Sequence, residues 1–240
     1  MAQTPYQQLE QEFRRLHAFR GAASVLRWDA AVMMPRGSAS VRGEQLAALA
    51  SECHALLTAP KVSRLIERAQ ASESQLEDWQ LANLREMRRE RDHAIATPSS
   101  LVSRLARATA VAEVRWLEAK QESNFALFAP HLEEVIALTR DKAQVLSQAL
   151  GLSPYDALID GFSPGFLSAE IEQLFRVVSR RLPNLIRDAI ELQAERPPLP
   201  LTGKVSTAKQ RTLVIDVMRA LGFPFDRGRL DESDHPFTEG

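Results

Sequence analysis

Apolar residues return every three or four positions along almost the whole of this chain, and that regularity limits its fold more than any other feature. Leu9, Phe13, Leu16, Ala23, Leu26 and Ala30 fall on one side of a helix and imply a core beneath them. No stretch alternates apolar and polar residues long enough to require a strand, and only 204–206 and the tail after Gly222 offer marginal pairing segments. The expected class is therefore all-α, a multi-helix array. We read residues 1–240 as a single helical domain, with a loop at 195–205 and an irregular tail at 222–240.

Helix ends follow from the breakers. The first helix should stop near Pro35 and Gly37, and a second over 38–57 should turn Val41, Leu49, Cys53 and Leu56 inward. A short helix follows around Val62, Leu65 and Ile66, then one over 75–96 in which Leu76, Trp79, Leu84 and Met87 are spaced for burial. Thr97-Pro98 reads as a helix start, with the threonine hydroxyl capping free amides and the proline in the first turn. That helix should reach at least Leu117. The next runs from about Pro130 to Leu150, and Gly151 is placed to end it in the left-handed conformation. Ser153-Pro154 and Ser163-Pro164-Gly165 read as a turn-rich connection. From Ser168 the period resumes, and Pro183 should kink or divide that helix because it removes a backbone donor. The only credible linker is 195–203, after which Ser206 caps a last helix closed by Gly222.

Composition removes several functions. A formal net charge of -1 with 25% charged residues offers no overall field for nucleic acid, a membrane surface or an acidic ligand, so neither nucleic acid nor membrane is expected as a partner. Cys53 is the single cysteine and cannot close an internal disulfide, which suits a reducing compartment. Residues 1–13 lack the basic, apolar and small-residue regions of a secretion signal, and a soluble, cytoplasmic protein is expected.

Motifs for autonomous chemistry are missing from the 240 residues: there is no Gly-rich phosphate loop, no cysteine pair and no Gly-x-Ser-x-Gly elbow. His17, His54, His93, His131 and His235 never stand two on one face four apart, as a helical zinc site needs, so no catalytic or metal-ligating residue is assigned. The mixed-sign run from Arg85 to Asp92 reads as a solvated face. Asp29, Arg42 and Glu44 either pair across a helix junction beneath Trp28 or wall a groove; periodicity does not separate the two. The tail is the densest segment left. Its glycines and prolines forbid regular helix, yet Phe223, Phe225 and Phe237 are costly to leave in water, so it should lie in a groove or on a partner. Asp231, Asp234 and His235 form only a weak cation set.

Within this tail Leu230-Asp231-x-Ser233-x-His235-Pro236-Phe237, preceded by Phe225-Asp226-x-Gly228-Arg229, resembles the carboxypeptidase Taq family of zinc metallocarboxypeptidases. Trp28-Asp29 with Met34-Pro35, Arg42-Gly43-Glu44-Gln45-Leu46, Trp116 with Phe125, Phe128, Pro130 and Leu132, and Pro154-Tyr155-Asp156-Ala157-Leu158 agree in order. The resemblance implies a helical, grooved enzyme, often dimeric, that removes single residues from free peptide C-termini with one zinc. It places His235, Pro236 and Phe237 in the substrate-binding region. The family's Asp-x-Arg-x-Thr and His-Glu-x-x-His motifs and its glutamate ligand do not occur in these residues. The expectation is thus the N-terminal part of such an enzyme, a truncated product or a fragment, inactive alone. Zinc is expected only with the missing C-terminal half. Its partners would be peptide C-termini, a second copy in a homodimer, or that missing half. The alternative is a non-catalytic helical module that binds peptides or dimerises.

Overall fold

The computed structural model describes residues 3–195, 200, 203–233, 235, 237 and 238, and among them there is no strand. Helix α1 (Pro5–Val32) opens on Thr4, whose hydroxyl accepts from the Gln7 amide at 3.2 Å while the Gln7 side chain accepts from the Thr4 amide at 3.0 Å. Two otherwise orphaned donors are satisfied at once. There follow α2 (Ala39–Thr58), α3 (Pro60–Gln70), α4 (Asp78–Ala96), α5 (Ser99–Glu122), α6 (Ala129–Leu150) and a short α7 (Pro154–Ile159). Helices α8 (Ser168–Glu195) and α9 (Thr207–Ala220) complete the described elements. No helix among the described residues is long and apolar enough to cross a membrane.

The chain divides into two compact units, Met1–Gly165 with Ser233–Gly240, and Phe166–Glu232. Reading 1–240 as one domain draws no such boundary. It falls at Ser163-Pro164-Gly165, where Gly165 takes φ +78°. The first unit holds the core. Tyr6 and Leu9 of α1 pack with Val62, Leu65, Ile66 and Ala69 of α3 and Leu84 of α4, and Leu101 and Ala108 of α5 pack on Leu138 of α6.

Helix α2 lies on α5 along a seam of small residues. Gly43 and Ala47 are buried on α2, and Gly43 stands opposite Ala110 of α5. This seam explains a correction, because α2 turns its small side toward α5. Val41 is exposed as a result, and Leu49, Cys53 and Leu56 are only half-buried. A Cβ built on Gly43 would stand 3.7 Å from the Ala110 Cβ, an ordinary van der Waals separation. Gly43→Ala should therefore be tolerated, with a gain of up to about 1 kcal/mol from helix propensity. Gly43→Leu should cost about 1–3 kcal/mol by overpacking. Urea midpoints of the two variants check the pair, and equal loss in both would contradict the close approach.

Other boundaries differ for local reasons. Trp79 is 76% exposed, because α4 directs Leu84 rather than its first turn into the core. Thr97 does not cap α5: it is buried and its hydroxyl donates to the His93 carbonyl at 2.9 Å, closing α4 instead. His54 of α2 assists, its Nε2 within 2.9 Å of the Ala94 carbonyl and 2.8 Å of the Thr97 carbonyl. Both partners are acceptors, so Nε2 carries the proton. The connection after Gly151 forms α7, capped by Ser153, whose hydroxyl accepts from the Asp156 amide at 3.1 Å. Gly151 ends α6 at φ +68° as expected. Helix α8 runs through Pro183 undivided. Most of the loop expected at 195–205 lies outside the described residues. The tail from Gly222 contains no helix among its described residues.

Candidate functional site

Two turns of α5 create the place where the tail returns. Glu113, Trp116 and Leu117 share one face because they are three and four residues apart. Together with Arg27 and Ala31 of α1 and with tail residues that include His235 and Phe237, they enclose a recess of about 200 Å³. The His235 ring meets Trp116 edge-on, with centroids 5.0 Å apart and planes at 89°. Such a pair sets the positive edge of one ring against the negative face of the other. Lys120, one turn further along α5, places its ammonium 5.3 Å from the Trp116 centroid. The Ser233 hydroxyl donates to the His235 carbonyl at 2.7 Å and shapes the turn that presents the imidazole.

Of the residues assigned to substrate from sequence, His235 and Phe237 thus meet at one recess, while Pro236 lies outside the described residues. Arg27 and Glu113 were not singled out, since each resembles any charged residue on an amphipathic helix. The spacing of Glu113, Trp116 and Leu117 was the available signal.

The junction beneath Trp28 is an ion pair for two of its three expected members. Arg42, with its side chain 13% exposed, donates to Asp29 Oδ2 at 2.6 Å and to Gln45 Oε1 at 3.0 Å, and also to the Leu26 carbonyl. Glu44 turns away, accepting from Arg107 at 2.6 and 3.0 Å. That bond holds the Glu44 carboxyl below its ordinary value against the small opposing effect of burial. A wider recess of about 650 Å³ is lined by Cys53 and His54, and burial pushes the Cys53 thiol up, though Arg20 and Arg27 nearby work against it.

His93 and Asp160 form a second polar cluster, with Nε2 to Oδ2 at 2.6 Å. Burial alone would raise the Asp160 carboxyl; the Gly165 amide, at 2.9 Å from Oδ1, then His93 and Arg89, outweigh it and hold the group below its ordinary value of 3.8. A carboxyl lowered in the folded state contributes stability above that ordinary value and loses it as pH falls through the lower folded one. Asp160→Asn should cost about 1.5–3 kcal/mol near neutral pH, as loss of a hydrogen-bonded charge does. The gap in urea midpoint between the two proteins should narrow as pH falls below 3.8; a constant gap would contradict the assignment.

Among the described residues no group of three or more His, Cys, Asp or Glu side chains converges as a metal ion needs. Asp231 is engaged by Arg229 at 2.7 Å, the His235 ring faces Trp116, and Asp234 lies outside the described residues. The described side chains therefore do not fit a metal.

A helical frame with an aromatic-lined recess and no metal set among the described residues is the setting into which the comparisons with known proteins fit. The family profile of carboxypeptidase Taq (M32) metallopeptidases matches residues 8–240, and the chain belongs to that family. Thermostable carboxypeptidase 1 of Thermus thermophilus is 34% identical over 238 residues, covering 94% of this chain and 46% of that protein. Among solved structures, Trypanosoma cruzi metallocarboxypeptidase 1 superposes with a TM-score of 0.77 at 36% identity, covering 97% of this chain and 47% of that one. Pyrococcus furiosus carboxypeptidase gives 0.75 at 29% identity, over 99% and 48%. The chain spans about half the length of the relatives it matches, consistent with the N-terminal part to which the tail motif points.

Proposed function

We propose that this chain supplies the N-terminal, peptide-cradling part of a zinc metallocarboxypeptidase that releases single residues from free peptide C-termini. The observation that carries this reading is the seating of His235 on Trp116 with Phe237 at the same recess. Two aromatic rings and an imidazole there offer an apolar wall with one proton-bearing edge, suited to an amino-acid side chain and the adjoining peptide group. His235, Pro236 and Phe237 bind substrate. Zinc is held by a His-Glu-x-x-His segment absent from these residues, where two histidines one turn apart bind the metal and the glutamate serves as general base. A reducing, cytoplasmic setting accords with the free Cys53.

The test is an enzyme made by joining this chain to the half of the Thermus thermophilus relative that it does not match. That enzyme should release C-terminal residues from a peptide with a free carboxylate and leave the amidated peptide intact. His235→Ala should lower kcat/KM roughly tenfold, the scale expected when one substrate-positioning group is removed, with bound zinc unchanged. Full efficiency in the His235 variant would remove the recess from the substrate path.

A further inference from the structure

The wider recess, of about 650 Å³, has a polarity that the peptide reading does not use. It lies wholly within the first unit, between α1, α2, α5 and the last turns of α4. Along α2 it runs from Leu46 to Leu57, about 16 Å of helix at a rise of about 1.5 Å per residue. Leu46, Leu49 and Ala50 of α2 and Leu105, Ala106 and Ala110 of α5 give its middle an apolar lining, in which Thr109 is the one hydroxyl among the described residues. At the α4 end the Thr97 hydroxyl and His54 Nε2 are already spent on backbone carbonyls. A peptide laid along this middle would take its amides and carbonyls out of water and find few partners, since the backbones of α2 and α5 are hydrogen-bonded within their own helices. An alkyl chain has no such groups to satisfy.

The charges on the recess are uneven. Arg20 donates to Glu90 Oε2 at 2.7 Å, and Arg27 and Glu113 are of opposite sign. Lys142 of α6 is the cation in excess. It is half-buried and makes no hydrogen bond or ion pair with another described residue. It stands between Leu138 and Val145 on the stretch of α6 that packs against Leu101 and Ala108, which sets it toward the α4 end of the recess. An ammonium partly removed from water without a carboxylate beside it favours a bound anion. The volume falls within the range of about 300–1,000 Å³ usual for small-molecule sites, which are likewise apolar with a few placed polar groups. We infer that this recess binds one linear alkyl carboxylate of medium length, its chain along Leu46–Leu57 and its carboxylate on Lys142.

Cys53 lines the same recess and, as the single cysteine, reports its occupancy. The test uses the 240-residue chain at fixed pH, with dodecanoate below its micelle concentration as the probe. Native mass spectrometry should count one dodecanoate per chain, and saturating dodecanoate should slow alkylation of Cys53 by iodoacetamide at least about fivefold, as loss of access does. Octanoate should need at least about tenfold more ligand for the same protection, having four fewer methylenes to bury. Dodecyltrimethylammonium, of equal length and opposite charge, should bind at least about tenfold less tightly than dodecanoate. Lys142→Gln should weaken dodecanoate about tenfold, as loss of a charged hydrogen bond does, and leave protection by dodecanol unchanged. If that variant fails to fold, the chain-length and charge series on the unaltered chain still decides. The inference is overturned by unsaturable binding, by bound dodecanoate that leaves Cys53 as reactive as before, or by equal protection from the two dodecyl ions. It is equally overturned if an amidated apolar peptide protects Cys53 and dodecanoate does not.

Discussion

Leu9→Ala should lower the stability of the first unit by about 2–5 kcal/mol, the range for a fully enclosed leucine whose cavity cannot collapse. Leu9 has no exposed surface and lies among Tyr6, Val62, Leu65, Ile66 and Leu84, so its removal opens a void shared by α1, α3 and α4. Three helices border that void, and none can close on it without pulling away from a neighbour. An equilibrium urea titration followed by far-UV circular dichroism reads the change. Leu127→Ala is the matched control: that side chain is 40% exposed and should cost well under half as much. Equal losses would mean that the α1–α3–α4 cluster is not the core of the unit.

The second large effect concerns the recess. Trp116→Ala should reduce kcat/KM of the joined enzyme by about ten- to a hundredfold, because the imidazole of His235 then loses the ring against which it is set. Trp116 is a positioning residue here, acting through His235, and the readouts must separate that from general damage. Trp116→Phe keeps an aromatic face and should recover most of the loss. The Trp116→Ala and His235→Ala pair should be non-additive, the double variant being little worse than the poorer single one. Additive losses, or no recovery with phenylalanine, would show that the ring pairing does not hold the histidine.

How far the chain could be read in advance divides along physical lines. The helices were legible because burial imposes a period, and some of their ends because Gly151 and Ser206 carry terminating or capping chemistry of their own. What periodicity leaves undetermined is which side of a broadly apolar helix meets a neighbour. Val41 and Trp79 lie at helical spacing and yet are exposed, since Gly43, Ala47 and Leu84 face the neighbouring helices instead. Thr97 shows the same limit for caps: its hydroxyl has a carbonyl one turn back as close as any amide ahead, and the buried corner chooses the carbonyl.

For the site, His235 and Phe237 could be singled out through the family resemblance that the tail motif carries, and Phe237 also as a ring costly to leave in water within a segment that cannot form helix. Their partner on α5 could not, because the edge-to-face pairing joins residues far apart in sequence and leaves no local pattern. The junction divided in the same way. Arg42 found Asp29, as opposite charges at a helix corner would, but Glu44, two positions on, points to another side of α2 and finds Arg107.

The central claim is that these residues cradle the peptide while the metal chemistry comes from a segment they do not contain. The most direct test is to assay the pure 240-residue chain with added zinc for release of the C-terminal amino acid from a peptide, beside the same chain joined to the metal-bearing half. The account predicts no release above the buffer rate from the chain alone and zinc-dependent release from the joined enzyme. Zinc-dependent release by the chain alone, abolished by a chelator and restored by the metal, would contradict it.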